Sequence, residues 1–458
     1  MTKLARKLLS LRFFGGGRAA PAKIPRRSSK PARWLLFGYL AYMLAGWILL
    51  SLPFAHKTPV GAADDLFIAV SAVSTAGLST IDIAGSYTLF GQIVIALMMQ
   101  LGGIGYMTAG SFTLLAIRNR MSRTREDAAR TAFALPDSIE PKAFIRSVIL
   151  FTLACEAVGA IALYPFLAAA KVSAPAWSAI FHAISAFCTA GLSLQANSLE
   201  AFRGAVGVNL VIAVLCLLGA MGFIVVVDAT KRLAGREREP GLASTVIVRV
   251  TLALIAGGTL LLFVIDPALA VLPPAERLMT AFFQVVVNST TGGFDTVPLG
   301  TLSKASLLVL MFLMVVGASP AGTGGGIKTT TFAALLALVR SVQKGRASAR
   351  LFGRSIPTAQ LQIATATLTS YLLLLLAGLL VLFLTEPDAP FDAVLFEAIS
   401  ALSTVGTSLG LTHHLSTLGK LTMVVLMIAG RVGVLSFAIA ASGSHRDGLE
   451  DDDNEMAL

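Results

Sequence analysis

The chain has 458 residues, of which 55% are hydrophobic and only 13% are charged, and its formal net charge is +11. Soluble domains carry roughly 25% charged residues. The low charged fraction and the mean hydropathy of +0.79 together exclude a soluble enzyme or binding domain and predict an all-α polytopic membrane protein. The three cysteines form no C-x-x-C pair and the five histidines form no H-E-x-x-H pattern. We therefore predict no catalytic residues, no protein-bound metal cluster and no disulfide.

The first 33 residues form a basic N-terminal tail with ten lysine and arginine residues and no acidic residue. A tail of this kind contacts anionic lipid or fixes the topology of a membrane protein. We expect the lipid bilayer, and not nucleic acid, as its partner. No small-residue cleavage site follows an apolar core, so the sequence predicts no removable signal peptide.

Eight apolar stretches qualify as membrane spans, each of which needs about 20 residues. They cover residues 34–54, 88–117, 143–169, 205–230, 246–271, 303–340, 360–385 and 418–442. The tail and the segments after the second, fourth and sixth stretches together hold 27 of the 36 basic residues. By the positive-inside rule these segments and both termini are cytoplasmic.

Four short segments on the opposite side of the membrane repeat one pattern, and each is too short to span the bilayer. They read "FIAVSAVSTAGLS" from Phe67, "FHAISAFCTAGLS" from Phe181, "FQVVVNSTTGGFD" from Phe283 and "FEAISALSTVGTS" from Phe396. Every copy has a Phe ten residues and a Thr two residues before a glycine. We interpret the segments as re-entrant pore helices.

The period of about 110 residues indicates four diverged copies of one helix, short helix, turn and helix unit. We predict eight spans plus four re-entrant helices with pseudo-fourfold symmetry around one central pore. The repeats are assigned to residues 34–117, 142–232, 243–341 and 357–443, and an acidic tail follows at 444–458. An interfacial helix with a glycine cap would explain any single copy, but it does not explain four copies in register.

The four turns are the predicted ion site. Irregular backbone at membrane depth leaves carbonyl groups unpaired, and four such turns on one axis would coordinate a dehydrated monovalent cation. Glycine permits the backbone conformation that this requires. The predicted ligands are the backbone carbonyls of Thr75, Ala76, Gly77, Thr189, Ala190, Gly191, Thr291, Gly292, Gly293, Thr404, Val405 and Gly406. Asp295 and Glu397, together with Asp64 and Asp65, are candidate charges at the outer mouth; for the last two a solvated loop role is an equal alternative.

Two features interrupt the predicted spans. The sixth contains "GASPAGTGGGIKTTT", residues 317–331, which is not a phosphate loop because Ile327 precedes Lys328. We interpret it as a hinge or cavity-lining loop. Arg431 lies within the eighth span, where a charge costs roughly 2.5 to 3.5 kcal/mol on insertion scales. Facing the axis, it would form a barrier to cations below the turns. Asp228 is assigned to an interfacial ion pair with Lys231 and Arg232, and Glu156 is left without a role.

These features together resemble the TrkH/KtrB/HKT superfamily of potassium transporters over residues 34–443. The resemblance lies in the turns "STAGLS", "CTAGLS", "TTGGFD" and "STVGTS", in "QLGGIGYMT" of span two, in "GTGGGIKTT" and in Arg431. The chain is most like the KtrB branch, because its first repeat is not preceded by the two extra helices typical of TrkH proper. The resemblance implies a K+ selectivity filter at the four turns, an intramembrane gate with Gly322, Gly324, Gly325, Gly326 and Lys328, and a pathway barrier at Arg431.

The resemblance also implies potassium uptake across a bacterial cytoplasmic (inner) membrane by a homodimer, with one pore in each protomer. A cytosolic ring of nucleotide-binding RCK subunits, like KtrA or TrkA, would control the gate. K+ is the transported ion, Na+ is a candidate coupling or activating ion, and no bound organic cofactor is implied. Ala76, Ala190 and Gly292 stand where a potassium channel has Val, so strict selectivity for K+ over Na+ is not implied.

Two other function classes stay in view. A secondary transporter for another small solute would use charged residues at the midplane, and Glu156 and Arg431 keep that alternative open. An intramembrane hydrolase would need a nucleophile and base pair or a metal cluster at membrane depth, and the sequence contains no such pattern.

Overall fold

The computed structural model describes residues 29–105, 141–233 and 241–441. Most of the basic N-terminal tail, the acidic C-terminal tail, the second half of "QLGGIGYMT" and the arginines between residues 118 and 130 lie outside the described residues. The predictions made for those segments are therefore not addressed by the structure.

The described chain is helical apart from one two-stranded antiparallel hairpin, β1 (Arg350–Leu351) with β2 (Arg354–Ser355). The helices before the hairpin are α1 Ser29–Leu50, α2 Ala62–Ser74, α3 Ile83–Ser86, α4 Leu89–Ile104, α5 Pro141–Ala169, α6 Pro175–Phe187, α7 Val206–Ala220, α8 Phe223–Leu233, α9 Leu242–Ile265, α10 Pro267–Ala270, α11 Pro274–Ser289, α12 Lys304–Val315 and α13 Thr329–Gln343. The helices after it are α14 Thr358–Thr385, α15 Phe391–Ser403, α16 Thr417–Val432 and α17 Val434–Ala441.

Each of the eight predicted apolar stretches contains an apolar helix. Within the described ranges, three helices are long and apolar enough to cross a membrane, and two bent pairs raise that number to five. The three are Arg146–Ala169, Leu242–Ile265 and Thr358–Thr385. The remaining stretches contain the shorter apolar helices Leu36–Leu50, Leu89–Ile104 and Lys304–Val315.

The fourth and eighth stretches are bent, although the sequence pattern predicts one continuous helix in each. α7 and α8 meet at 90°, and α16 and α17 meet at 104°. The bends lie at Gly222, with φ +85°, and at Gly433, with φ +92°. Only glycine adopts this backbone region without a steric penalty, so each bend is built into the sequence by one residue.

Four short helices, α2, α6, α11 and α15, correspond to the repeated segments and contain 13, 13, 16 and 13 residues. Each packs between an earlier and a later helix of its own repeat: α2 between α1 and α4, α6 between α5 and α7, α11 between α9 and α12, and α15 between α14 and α16. The repeated Phe of each helix is fully buried. The short helices therefore form the inside of the molecule.

Further contacts join these groups of helices into a closed ring. α4 contacts α6, α7 contacts α11, α12 contacts α15, and α16 contacts α2. The long helices present apolar side chains outwards; on α14, for example, Leu373 and Leu376 are more than 60% exposed. An apolar outer face of this kind suits a lipid environment. The closed ring brings the C-terminal ends of the four short helices together.

Candidate functional site

The four repeated turns have the same backbone conformation. Each short helix is followed within two residues by a threonine in the left-handed region, and Thr75, Thr189, Thr291 and Thr404 have φ values of 51°, 51°, 57° and 53°. The residue after each threonine donates its N–H to a carbonyl five positions earlier, as Ala76 does to Ser71 at 2.9 Å and Val405 to Ser400 at 2.9 Å. This closes the helix and leaves the following backbone free to coordinate a ligand.

The structure brings the four glycines of these turns into direct contact around one axis. A Cβ added to Gly77 would lie 2.7 Å from the Ala190 carbonyl oxygen and 2.9 Å from the Gly406 Cα. A Cβ added to Gly191 would lie 2.8 Å from the Gly293 Cα, and one added to Gly293 would lie against the Val405 carbonyl oxygen. Each glycine thus faces the next turn in chain order. The ring closes because a Cβ added to Gly406 would lie 2.7 Å from the Gly77 Cα.

Positive φ angles favour glycine at these positions, and the close approach requires it. Gly77, Gly191, Gly293 and Gly406 have φ values of 78°, 67°, 71° and 102°. The residue before each glycine presents its carbonyl oxygen within the ring. Four neutral carbonyl groups in a ring can replace the hydration shell of a monovalent cation.

A cavity of about 210 Å³ opens on one side of the ring, and all four glycines line it. Its other walls include the acidic residues Asp82, Glu200 and Asp295 and one histidine, His413. Burial, with a smaller contribution from the Glu200 charge, raises the pKa of Asp295 to about 7. Because it lines this cavity, Asp295 lies at the mouth of the ring, as predicted from the sequence.

The other three candidate mouth charges are placed differently, and for them the prediction is wrong. Glu397 is 1% exposed and accepts hydrogen bonds from Ser408, Leu409 and Thr412 behind the fourth turn. Asp65 is also 1% exposed and contacts His56 and Tyr87. Asp64 pairs with Lys420 at 2.6 Å. Each carboxylate is held by neighbouring donors, and none of the three lines the cavity.

The glycine-rich segment of the sixth stretch lies against the opposite side of the ring. The helix is interrupted as predicted, since α12 ends at Val315 and α13 begins at Thr329. Thr323 contacts the Thr189 hydroxyl at 3.1 Å and donates to the Phe187 carbonyl at 3.2 Å. Gly324 lies directly against the Thr291 hydroxyl and Gly325 against the Thr404 hydroxyl. The segment therefore covers the second, third and fourth turns.

The remaining gate candidates are part of the same loop. Lys328 donates to the Gly324 carbonyl at 2.5 Å, so its ammonium group links two positions of the same loop. Gly326 has a φ of 71°. A Cβ on Gly322 would lie 2.5 Å from the Ala220 carbonyl oxygen, close to the bend between α7 and α8. The loop thus contacts both the ring and the bent helix pair.

Arg431 covers the first turn, which the loop does not reach. Its guanidinium donates to the Thr75 hydroxyl at 2.9 Å and to the carbonyls of Thr323 and Gly102. All four threonines are therefore covered on this side, three by the loop and one by Arg431. These threonine contacts were missed in the sequence analysis, although the repeated Thr two residues before each glycine was a usable signal.

Glu156 and Asp228 also find their surroundings in the structure. Glu156 accepts from Gln100 at 2.8 Å and from the Cys188 thiol at 3.7 Å, which links α4 and α5 to the residue before Thr189. Asp228 accepts from Ser244 and from the Gly241 N–H. Of its two expected partners, the side chain of Lys231 lies outside the described side chains, and Arg232 forms no ion pair with Asp228 among the described residues. Neither carboxylate lines the cavity of the ring.

Comparison with known proteins gives consistent matches along the chain. The family TrkH, described as a cation transport protein, matches residues 43–449. "Ktr system potassium uptake protein B" of Bacillus subtilis is 31% identical over 435 residues, which is 93% of this chain and 96% of the relative. "Potassium/sodium uptake protein NtpJ" of Enterococcus hirae is 31% identical over 420 residues, covering 90% and 92%.

The fold matches a solved structure as well. The crystal structure of the potassium transporter TrkH from Vibrio parahaemolyticus superposes with a TM-score of 0.71 at 20% identity, covering 92% of this chain and 86% of that one. "Ktr system potassium uptake protein B" of Vibrio alginolyticus is 31% identical over 417 residues, covering 89% and 90%. The motifs, the fold and these matches agree, and the chain belongs to the TrkH family of cation transport proteins.

Proposed function

We propose that this chain is the ion-translocating subunit of a potassium uptake system in a bacterial cytoplasmic membrane. The observation that carries the proposal is the ring of four glycines, in which each glycine lies against the next turn. The printed names of the relatives from Bacillus subtilis and Vibrio alginolyticus support K+ as the transported ion.

The four turns act as a selectivity filter in this proposal. A K+ ion enters from the cavity lined by Asp82, Glu200 and Asp295, where those carboxylates that are ionised raise the local cation concentration. It exchanges its water for the carbonyl oxygens of the turns. The C-terminal ends of the four short helices, which carry the negative ends of their dipoles, face the same place and favour a cation there.

Residues 317–331 and Arg431 act as the gate and barrier. They cover the four threonines on the side of the ring opposite the cavity, so an ion that leaves the filter meets them next. Rotation of the α7 and α8 bend at Gly222, which contacts the loop, would move the cover aside. A cytosolic nucleotide-binding RCK ring is the proposed source of that motion, in keeping with relatives whose names describe a Ktr system.

The wider architecture belongs to the same proposal. Eight spans and four re-entrant helices form repeats at residues 34–117, 142–232, 243–341 and 357–443 around one pore, in a homodimer with both termini in the cytoplasm. The closed order of helix contacts supports the arrangement within each protomer. Na+ is kept as a coupling or activating ion.

A poorly selective K+/Na+ transporter is the second candidate. Ala76, Ala190 and Gly292 replace the Val that Val405 provides in the fourth turn. The relative from Enterococcus hirae carries both ions in its printed name. The ratio of K+ to Na+ uptake separates this candidate from the first.

Expression in a bacterium that lacks its own K+ uptake systems tests the proposal. The chain, produced with any neighbouring RCK subunit, should restore growth at low K+ and support uptake of radiolabelled Rb+ that K+ competes for. Absence of growth and Rb+ uptake, with the protein verified in the membrane, would reject it. Uptake from a panel of organic solutes in place of Rb+ would favour the secondary transporter.

A further inference from the structure

A polar residue occupies the same register position in three of the four short helices. The position directly follows the repeated Phe and lies nine residues before the filter glycine. It is Ile68 in α2, His182 in α6, Gln284 in α11 and Glu397 in α15. All four side chains are at most 2% exposed. A polar group buried so deeply requires hydrogen-bond partners, and the partners identify its task.

Glu397 holds the outer end of the fourth turn. Ser408, two residues after Gly406, donates its hydroxyl to Glu397 Oε1 at 2.5 Å. The Leu409 N–H donates to the same oxygen at 3.1 Å, and the Thr412 hydroxyl donates to Oε2 at 2.7 Å. One side chain thus fixes the segment that follows the filter glycine.

His182 has the same relation to the second turn. Its Nδ1 donates to the Ser178 carbonyl at 2.7 Å, which leaves Nε2 to accept from the Ser193 hydroxyl at 3.0 Å. Ser193 is two residues after Gly191, as Ser408 is after Gly406. Both serine oxygens also accept a backbone N–H from two residues further on, each at 2.9 Å. The two turns therefore use one hydrogen-bond design with different side chains.

The third turn has a weaker version of the contact. Gln284 donates from Nε2 to the Thr296 hydroxyl at 3.4 Å, and Thr296 is three residues after Gly293. The loop of this turn has a second support, because the Asp295 carbonyl accepts from the Leu199 N–H at 2.9 Å. The outer ends of the second and third turns are thus tied together.

The first turn provides an internal comparison. Ile68 has no polar atom at the register position, and Ser79, two residues after Gly77, instead donates to the Ile81 carbonyl of its own loop at 2.5 Å. The serine is present in the same place, but it has no partner on the short helix to donate to. Among the described residues, the hydrogen bonds of the Ser79 hydroxyl consequently stay within its own loop.

We propose that His182, Gln284 and Glu397 are positioning residues that hold the outer ends of the second, third and fourth turns and so set the discrimination between K+ and Na+. The inference rests on the proposed filter. A ring held at fixed width coordinates the larger K+, whereas a ring free to contract also coordinates the smaller Na+, as in the cavity-size account of selectivity. The residues act through the turns and do not touch the ion.

Leucine substitutions at the register position test the proposal. Glu397→Leu and His182→Leu remove the acceptor from a buried site, and Ile68→Leu places the same side chain in the turn that has no such bond. The initial rates of Rb+ and Na+ uptake are measured in cells, normalised to the amount of monodisperse protein recovered from the membrane. We expect the Rb+/Na+ ratio to fall about tenfold in the first two variants and to stay at the wild-type value in Ile68→Leu. Glu397→Gln retains an acceptor for the Ser408 hydroxyl, so its Rb+/Na+ ratio should equal that of the wild type.

Serine variants give a second measurement that does not disturb the buried helices. Ser193→Ala and Ser408→Ala remove the donor to the short helix together with an acceptor for the N–H two residues further on. Ser79→Ala is the matched control, because it removes only bonds between Ser79 and Ile81 within one loop. A reduced ratio in the first two but not in Ser79→Ala supports the proposal, also where the leucine variants fail to reach the membrane. A wild-type ratio in Ser193→Ala and Ser408→Ala, or an equal reduction in Ile68→Leu, overturns it.

Gly406→Ser separates the failure of this inference from the failure of the proposed function. If Gly406→Ser lowers the ratio but the leucine and serine variants do not, the filter stands and the positioning role is rejected. If the wild-type chain takes up no Rb+, or Gly406→Ser leaves the ratio unchanged, the filter itself is rejected and the positioning role with it.

Discussion

Gly77 has no room for a side chain, which makes it a direct test of the ring at the residue scale. Its φ is +78°, and an added Cβ would lie 2.7 Å from the Ala190 carbonyl oxygen. We expect Gly77→Ser to lower the K+/Na+ uptake ratio about tenfold, equivalent to ~1.4 kcal/mol, because the displaced backbone turns carbonyl groups away from the axis. Gly300→Ser is the control, since no atom lies within 4 Å of a Cβ there. Equal ratios in the two variants would contradict the prediction.

Arg431 combines a charge with several hydrogen bonds, and two substitutions separate them. Arg431→Gln removes the charge and weakens the contacts to Thr75, Thr323 and Gly102, so we expect basal Rb+ uptake without a cytosolic partner to rise about tenfold. Arg431→Lys retains the charge but not the planar fork of donors. We expect it to give an intermediate rate. Uptake in Arg431→Gln at or below the wild-type rate would show that the arginine is no barrier.

Some residues of the site were predictable from the sequence and others were not. Gly77, Gly191, Gly293 and Gly406 were predictable because the Phe, Thr and Gly spacing repeats. The burial of Glu397 was not, since an acidic residue near a loop reads as exposed until its donors, such as Thr412, are known. The contacts of Arg431 with Thr75 and Gly102 join positions more than 300 residues apart, and one sequence contains no signal for such a pairing.

At the scale of elements, the loop between α12 and α13 is held by few side chains, so one substitution should loosen it. Thr323→Val keeps the shape of the side chain but removes the hydroxyl that contacts Thr189 and the Phe187 carbonyl. We expect basal Rb+ uptake to rise severalfold because the loop leaves the threonine ring more often, and deletion of residues 321–326 should raise it further.

The control for Thr323→Val is a threonine whose hydroxyl contacts only its own helix. Thr365 is exposed on α14 and donates to the Leu361 carbonyl at 3.1 Å. Thr365→Val should leave uptake unchanged. Unaltered flux in both Thr323→Val and the loop deletion, with protein of normal amount in the membrane, would place the gate elsewhere in the chain.

The helices themselves followed from hydropathy, whereas their bends did not. The interruption of the sixth stretch was predictable because five glycines and a proline occur within residues 317–326. Gly222 stands in apolar sequence and Gly433 stands two residues after Arg431, and glycine is common in membrane helices. Whether such a glycine bends the chain depends on the neighbours that it meets; Gly222, for instance, lies against the Pro320 carbonyl of the loop.

For the whole molecule, the proposed direction of transport depends on which side of the membrane the cavity faces. The cavity and His413 lie on one side of the glycine ring, and the loop and Arg431 lie on the other. α13 continues from the loop to Arg340 and Lys344, which belong to one of the basic segments assigned to the cytoplasm. The acidic cavity would then face the outside and the positively charged side the cytoplasm.

Labelling of single cysteines in intact cells tests this orientation. The parent carries Cys155→Ser, because Cys155 is half-buried whereas Cys188 and Cys216 are buried and should not react. His414 and Lys344 are both exposed, and each is replaced by cysteine in turn. A membrane-impermeant maleimide should label His414→Cys in intact cells and Lys344→Cys only after permeabilisation. The reverse result would invert the molecule, place the gate outside, and require the loop to act before the filter during uptake.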